Sequence, residues 1–197
     1  MGKELELKYR IDSQAQYSQI RELLEERYPG GWTQISMATS YYDTADRYLA
    51  RRHWTLRIRA ENDTTVLTCK TPAEGNSRNE WEVPEGSLPH GLVALVRRGA
   101  PEELMELHQV PLVVSCGARF TRRCRLLDLG GTTAELALDG GSLLGGRKEL
   151  PFWELELELK TGNPQQVYDW CEAFARETGL EIEPRSKFAR ASALDGE

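Results

Sequence analysis

The stretch Glu4-Leu5-Glu6-Leu7-Lys8, close to the N-terminus, decides the fold of this chain. Its charged and apolar residues alternate with a period of two, which is the side-chain period of a β-strand. Residues 154–160 (ELELELK) repeat the pattern near the other end, and residues 56–59 (LRIR) repeat it with the opposite charge. One such strand is typical of an ordinary surface. Several of them, with complementary acids and bases, predict a shared charged surface or lumen for an ionic ligand.

Length and charge limit the function classes. The chain has 197 residues, which fits a single domain spanning 1–197 with a substantial core. Its 25 basic and 31 acidic residues give a net charge of −6, which argues against a nucleic-acid partner. No apolar run approaches the roughly 18–20 residues that a membrane-spanning helix needs. The first residues show no apolar segment of a signal peptide. We therefore expect a cytoplasmic protein without a membrane partner.

The cysteines and histidines show no metal-ligand spacing. The four cysteines, at positions 69, 116, 124 and 171, form no CxxC pair and lie in apolar or strand-like sequence. We expect buried free thiols in a reducing compartment. His53, His90 and His108 are scattered along the chain, which argues against a zinc site and against a Ser-His-Asp triad.

The pattern along the chain predicts about eight antiparallel strands with helices near both ends. A helix begins at Asp12 or Ser13 and runs to about Tyr28, and another begins at Asn163 and runs to about Thr178. The segment 87–108 reads as one or two short helices, and residues 183–188 as a closing tail. The predicted strands lie at about 4–10, 32–42, 54–60, 65–70, 79–83, 112–115, 118–127, 133–139 and 153–160. We predict an α+β fold in which a closed eight-stranded antiparallel β-barrel has a charged interior, with its leucines facing outward under flanking helices.

An ordered set of motifs resembles one family. Glu4-Leu5-Glu6-Leu7-Lys8 matches the ExExK signature of the CYTH superfamily, the triphosphate tunnel metalloenzymes. The motifs that follow it in order are YYDT at 41–44, LRIR at 56–59, LTCK at 67–70, FTR at 120–122, ELALD at 135–139, ELE at 154–156 and SK at 186–187. The chain is most similar to the CYTH domain of bacterial inorganic triphosphatases. Many such domains precede a helical CHAD domain, and the resemblance leaves open whether one was lost here or was never present.

The resemblance implies a cluster of carboxylates that holds a metal ion. Glu4, Glu6 and Glu156 would hold the principal metal, while Glu154 and Asp139 would hold a second metal or position the attacking water. Oxygen ligands suit Mg²⁺ or Mn²⁺. The sequence does not distinguish between these two ions, or between one bound metal and two. Glu158 lies on the same strand face as Glu154 and Glu156. It is equally consistent with a metal ligand and with a solvated residue at the rim of the tunnel. A metal-free barrel laced with salt bridges is the other reading, although so many inward carboxylates would repel one another without a cation.

The resemblance also implies a set of basic residues that grips phosphate oxygens: Lys8, Arg57, Arg59, Lys70, Arg122 and Lys187. Lys8, Glu154 and Asp139 would act in catalysis. The chain departs from some relatives at Phe120, where they carry the Lys of a Lys-x-Arg pair. Arg119 or Arg123 are the candidates to supply that contact.

The expected activity is metal-dependent hydrolysis of inorganic triphosphate to pyrophosphate and phosphate. The alternatives are a class IV adenylate cyclase, a thiamine or nucleoside triphosphatase, and a non-catalytic polyphosphate or nucleotide sensor. A sensor would gain nothing from five inward carboxylates, so the acidic set favours a hydrolase. The expected partner is a triphosphate-containing small molecule. The oligomeric state stays open, a homodimer included.

Overall fold

The computed structural model describes residues 5–73 and 78–195. The strands are β1 (Glu6–Ile11), β2 (Thr33–Thr44), β3 (Thr55–Glu61), β4 (Thr64–Pro72), β5 (Arg78–Val83), β6 (Leu112–Asp128), β7 (Thr133–Gly145), β8 (Lys148–Thr161) and β9 (Glu181–Ile182). The α-helices are α1 (Gln14–Arg27), α2 (Tyr48–Arg51), α3 (Leu88–Arg97), α4 (Pro164–Thr178) and α5 (Lys187–Ala193), and a 3₁₀ helix spans Glu102–Gln109.

The strands form one antiparallel sheet in the order β5-β4-β3-β2-β6-β7-β8-β1-β9. The α+β class with a large antiparallel sheet is therefore confirmed. The count is nine rather than about eight: the predicted strands 112–115 and 118–127 form the single strand β6, and the two-residue β9 adds to the edge of β1. Within the described residues the sheet is also not closed into a barrel: the order ends at β5 and at β9, with no backbone pairing between these two edges.

The sheet nevertheless curls around one partly open cavity of about 780 Å³. Side chains from both ends of the strand order line it, among them Lys8 on β1 and Glu80 on β5. Strands β2, β3, β4, β6, β7 and β8 contribute as well. The inner faces of all eight longer strands therefore share one space, although hydrogen bonds do not join its two edges in the described chain.

The alternating leucines face away from this cavity, as predicted. Leu155 and Leu157 on β8 are fully buried with Leu136 and Leu138 on β7, in a core cluster that includes side chains of α1 and α4. Burying each leucine contributes about 1.5–3 kcal/mol to stability, so this outer layer holds β7 and β8 in register. A second apolar cluster packs α3 and the 3₁₀ helix against β3, β4 and β5.

Local sequence signals explain where the main helices begin. The Ser13 hydroxyl accepts a hydrogen bond from the Gln16 N–H, and the Asn163 side chain accepts one from the Gln165 N–H. Both residues are side-chain caps of the first helical turn. The Asp43 carboxylate accepts bonds from the N–H groups of Thr44, Leu49 and Ala50, which fixes the turn into α2.

The chain end differs from the expected tail. Residues 187–193 form α5, capped by the Ser186 side chain, which accepts a bond from the Ala189 N–H. Gly145 lets this helix approach β7, since a Cβ there would clash with the Ala191 carbonyl oxygen. Phe188 packs on Tyr41 of β2, with 4.9 Å between the ring centroids. These contacts place α5 against the curled sheet and bring Lys187 into the cavity wall.

All four cysteines are free and buried, as expected. None of the helices in the described residues is long and apolar enough to span a membrane.

Candidate active site

The cavity is lined mainly by charged side chains of both signs. Among the described residues, nine basic and seven acidic side chains reach its surface. The basic ones are Lys8, Arg57, Arg59, Lys70, Arg78, Arg122, Lys160, Arg185 and Lys187, and the acidic ones are Glu6, Glu61, Glu80, Glu82, Glu135, Glu156 and Glu158. A lumen of this kind suits an anion with many oxygens, provided that the acids are occupied by cations.

Strand register brings three charged residues into one row. Arg122 on β6 lies opposite Asp139 on β7, and Asp139 lies opposite Glu154 on β8. Side chains directly opposite each other share a sheet face and contact each other. Arg122 donates two hydrogen bonds to Asp139, from Nε to Oδ1 and from Nη2 to Oδ2, each 2.8 Å long. This bidentate geometry is the strong form of an Arg–carboxylate pair.

The next inward position on β8, Glu156, completes a buried acidic cluster. Carboxylate oxygens of Asp139, Glu154 and Glu156 all lie within 4.8 Å of one another. Arg122 Nη2 also donates to Glu156. Asp139 and Glu154 are 0% exposed and do not line the cavity, whereas Glu156 reaches its surface.

Lys187 joins these three carboxylates from α5. Its Nζ lies 2.8 Å from Asp139 Oδ2 and 2.9 Å from Glu156 Oε1, and it also contacts Glu154 Oε1. The ammonium lies 4.9 Å from the centre of the Phe120 ring, so the aromatic face adds a cation–π contact. Phe120 therefore offers a π surface to Lys187.

Burial and the neighbouring charges move the pKa values of this cluster in different directions. Burial raises the pKa of Glu154 to about 7, although Lys187 and Arg190 act to lower it. Burial also opposes ionisation of Glu156, but Lys187 and Arg122 hold the pKa of this carboxyl well below its usual range. Burial would lower the pKa of Lys187, whereas the carboxylates of Asp139, Glu156 and Glu154 raise it well above its usual value. At neutral pH, Lys187 is therefore a cation and Glu156 an anion.

A basic wall lies on β3 and β4. Arg57 Nη2 lies 3.7 Å from a carboxylate oxygen of both Glu80 and Glu82, and Lys70 Nζ lies 2.8 Å from Glu80 Oε2. Arg59 Nε lies 2.5 Å from Glu61 Oε1. The predicted phosphate ligands on these strands therefore line the cavity, each beside an acidic partner. Glu80 is therefore a counter-ion of both Arg57 and Lys70.

Further acids line the cavity on β1, β7 and β8. Glu6 lies opposite Glu158 in the β1–β8 register, and Glu135 lies opposite Glu158 across β7 and β8. Lys160 Nζ lies 2.7 Å from Glu158 Oε2 and 3.7 Å from Glu135 Oε1. Lys8 Nζ lies 3.4 Å from Glu6 Oε1. Glu4 lies outside the described residues, so its predicted role stays a prediction.

The donor set fits a hard divalent cation. Glu6, Glu135, Glu156 and Glu158 offer carboxylate oxygens to the same cavity from three adjacent strands. Carboxylates are the ligands that Mg²⁺ and Mn²⁺ prefer, and like charges facing one another are stabilised by such an ion. The buried trio of Asp139, Glu154 and Glu156 could also hold a metal ion, in competition with Lys187.

Strand alternation removes two candidate phosphate ligands from the cavity. Arg119 and Arg123 are an odd number of positions from Arg122 and point to the other face of β6. Arg119 is exposed, and Arg123 Nη2 donates to Glu25 on α1 at 2.6 Å. Neither arginine supplies the contact that Phe120 leaves vacant.

One charged residue at the cluster had no predicted role. Arg190, one turn after Lys187 on α5, is buried and donates to Glu154 Oε2. The sequence shows only that Arg190 follows Lys187 by three residues. This spacing places both side chains on one face once residues 187–193 are known to be helical.

The chain is similar to known proteins over nearly its full length. An inorganic triphosphatase from Haemophilus influenzae is 30% identical over an alignment of 203 positions, which covers 98% of this chain and 55% of that protein. The chain thus spans about half the length of this curated relative.

Two solved structures share the fold. A putative adenylyl cyclase from Hippeastrum, described as having a dominant triphosphatase activity, superposes with a TM-score of 0.67 at 23% identity, covering 98% of this chain and 96% of the other. The PH1819 protein from Pyrococcus horikoshii superposes with a TM-score of 0.62 at 20% identity, covering 97% and 99%.

The family assignment rests on the sequence match and agrees with the curled antiparallel sheet and its charged cavity. The CYTH domain matches residues 2–192, which is almost the whole chain. The chain belongs to the CYTH domain family.

Proposed function

We propose that this chain hydrolyses inorganic triphosphate to pyrophosphate and phosphate inside the curled sheet. The observation that carries the proposal is the lining of the 780 Å³ cavity, where basic side chains of β3, β4, β6 and α5 share one space with carboxylates of β1, β7 and β8. The 30% identity to a protein named inorganic triphosphatase supports the same activity. A triphosphate with a counter-cation needs both basic groups for its oxygens and carboxylates for the cation.

The basic wall would bind the phosphate chain. Arg57, Arg59 and Lys70 line the cavity from adjacent strands, so their donors can follow successive phosphate groups. Arg57 is held only loosely by its two glutamates, at 3.7 Å, and can exchange them for phosphate oxygens. A guanidinium binds two oxygens of one phosphate in a planar fork, whereas lysine acts as a point charge.

Lys8, Arg122 and Lys187 would hold the phosphate that is transferred. They line the cavity beside Glu6 and Glu156, where the two kinds of wall meet. Their positive charges would offset the charge that develops on the phosphoryl oxygens and on the departing bridging oxygen. Lys8 is therefore assigned a catalytic role through direct contact with the substrate.

Glu6 and Glu156 would hold the principal metal, together with Glu4, which lies outside the described residues. We infer Mg²⁺ or Mn²⁺ because all of these ligands are carboxylates. A bound divalent ion would supply charge neutralisation for the phosphate oxygens and activation of a water. Glu135 and Glu158 line the same cavity and would accept hydrogen bonds from water molecules near that ion.

Asp139 and Glu154 have positioning roles in this proposal. Both are 0% exposed and lie behind the cavity wall, where they contact Lys187. They fix the direction of the ammonium and, through Asp139, of the Arg122 guanidinium. A direct role as metal ligands or as a base toward water would require Lys187 to leave them.

In the reaction, a water oxygen forms a bond to a terminal phosphorus while the bond from that phosphorus to its bridging oxygen breaks. Pyrophosphate leaves with the bonding electron pair, orthophosphate carries the oxygen from water, and the proton that this water loses passes to solvent. The proposal includes a single domain over 1–197 in the cytoplasm and a closed eight-stranded barrel around the cavity.

A substrate panel tests the proposal. Phosphate release from tripolyphosphate, ATP and thiamine triphosphate should be compared with Mg²⁺ or Mn²⁺. We expect tripolyphosphate to have the highest kcat/KM and ATP to yield no cyclic product. Formation of cyclic AMP would favour the cyclase, and tight binding of tripolyphosphate without turnover would favour a sensor.

A further inference from the structure

Two basic residues of α5 bind the same buried carboxylate from different directions. Lys187 contacts Glu154 Oε1, and Arg190 Nη2 donates to Glu154 Oε2. Residues three apart on a helix lie on the same face, so both side chains project from α5 toward β8. Glu154 is 0% exposed and Arg190 is 8% exposed. The pair is therefore desolvated, where electrostatic interactions are strong.

The network pairs equal numbers of acidic and basic side chains. Three carboxylates, of Asp139, Glu154 and Glu156, meet three cations among the described residues: Lys187, Arg122 and Arg190. Removal of any one cation leaves a buried carboxylate without a full partner, which is strongly unfavourable. The remaining cations must then compensate for it.

The two α5 residues face different spaces. Lys187 lines the 780 Å³ cavity, whereas Arg190 lines a second pocket of about 270 Å³ with Phe152 and Trp153. Arg190 is not among the residues that line the larger cavity. Its guanidinium lies 5.3 Å from the centre of the Phe152 ring, which holds it on the outer side of Glu154. Arg190 is therefore not positioned to contact a ligand in the larger cavity.

We propose that Arg190 is a positioning residue for Lys187. Arg190 binds Oε2 of Glu154 and so weakens the electrostatic attraction between this carboxylate and the Lys187 ammonium. The ammonium is then available to bind a phosphate in the cavity. The inference rests on the proposed triphosphatase function. Arg190 itself touches neither the substrate nor its counter-ion.

Loss of Arg190 should turn Lys187 away from the substrate. With the outer oxygen unpaired, Glu154 attracts the ammonium more strongly, and a phosphate must compete with a less compensated carboxylate. For Arg190→Met we expect KM for tripolyphosphate to rise at least about tenfold, which corresponds to about 1.4 kcal/mol. Because Lys187 both binds the substrate and offsets charge that develops in the transition state in this proposal, kcat should fall together with the rise in KM. Arg190→Lys keeps the charge and should recover part of the loss.

Kinetics of four variants test the inference. Arg190→Met should raise KM in the wild-type background and should add little in a Glu154→Gln background, because the carboxylate that Arg190 restrains is then neutral. Arg176→Met is the matched control, since Arg176 forms an exposed i,i+4 pair with Glu172 on α4. Equal KM values for wild type and Arg190→Met would overturn the inference, as would full additivity of the two substitutions.

A second measurement separates this inference from the proposed activity. The Lys187 ammonium, enclosed by three carboxylates, should give a protected ¹⁵N–¹H signal in lysine-selective NMR of the free protein. Arg190→Met should shift this signal, whereas Arg176→Met should not. A wild type without triphosphate turnover would contradict the proposed function alone. An unmoved Lys187 signal in Arg190→Met would overturn the positioning role whatever the activity.

Discussion

Arg122 and Asp139 face each other across β6 and β7 and are joined by two parallel hydrogen bonds of 2.8 Å each. Asp139 is 0% exposed, so this bidentate pair anchors the charged lumen to the part of the sheet that packs against α1 and α4. The same carboxylate also lies 2.8 Å from Lys187. One buried aspartate thus orients two of the proposed phosphate ligands.

Asp139→Asn should destabilise the protein. The substitution removes one charge from a buried network and leaves Arg122 and Lys187 underpaired, a change that typically costs about 3–5 kcal/mol. Urea unfolding followed by circular dichroism measures the effect. Glu172→Gln, at an exposed pair with Arg176, is the control and should change stability little. Equal stabilities of both variants and wild type would show that the network contributes nothing.

Substitution of Arg122 by Met should reduce the activity, whereas the same substitution of Arg123 should leave the activity unchanged. The two residues are neighbours on β6, but Arg122 lines the cavity and Arg123 pairs with Glu25 on α1. We expect kcat/KM for tripolyphosphate to fall at least about 100-fold in Arg122→Met, since a charge-assisted contact in a desolvated site is lost. Arg123→Met should retain wild-type kcat/KM. Steady-state kinetics at a temperature where both variants are folded would decide, and similar losses in both would remove Arg122 from the site.

Glu156→Gln should weaken metal binding. Glu156 is the member of the buried acidic cluster that reaches the cavity surface, and it offers a charged oxygen there. Loss of this ligand should raise the dissociation constant for Mn²⁺ at least roughly tenfold, as read by electron paramagnetic resonance of free Mn²⁺. The exposed Glu172→Gln variant serves again as control. Unchanged Mn²⁺ affinity in Glu156→Gln would exclude this carboxylate as a ligand.

Alkaline pH should destabilise the fold through Cys69. Burial raises the pKa of this thiol from 9.0 to about 12. Between these values the unfolded chain has lost the proton and the folded chain has kept it, so stability falls as pH rises, by at most about 1.4 kcal/mol per pH unit for this group. Cys69→Ala should lessen the slope of unfolding free energy against pH above 9. Parallel slopes for wild type and variant would contradict the assignment.

The charged lumen was predictable because β-structure has a short side-chain period. Alternation in residues 154–160 places Glu154 and Glu156 on one face and Leu155 and Leu157 on the other. The structure has the same arrangement of these two faces. The same rule now excludes Arg119 and Arg123 from the cavity. Family motifs added Arg122 and Lys187, whose proximity across 65 positions no local pattern could reveal.

The chain end was less predictable. Residues 183–193 carry no long apolar periodicity, and α5 is only seven residues long, so its stability depends on packing against Gly145 and Tyr41. The role of Arg190 follows from that packing. The open edges of the sheet were likewise unpredictable, because pairing of β5 with the opposite edge depends on long-range curvature rather than on alternation.

The most direct test of the central claim is a ³¹P NMR time course of tripolyphosphate with the purified chain. The account predicts one orthophosphate and one pyrophosphate for each tripolyphosphate consumed in the presence of Mg²⁺ or Mn²⁺, and no change when the metal is chelated. Undiminished turnover in the presence of a chelator, or an unaltered tripolyphosphate spectrum with either metal, would contradict it.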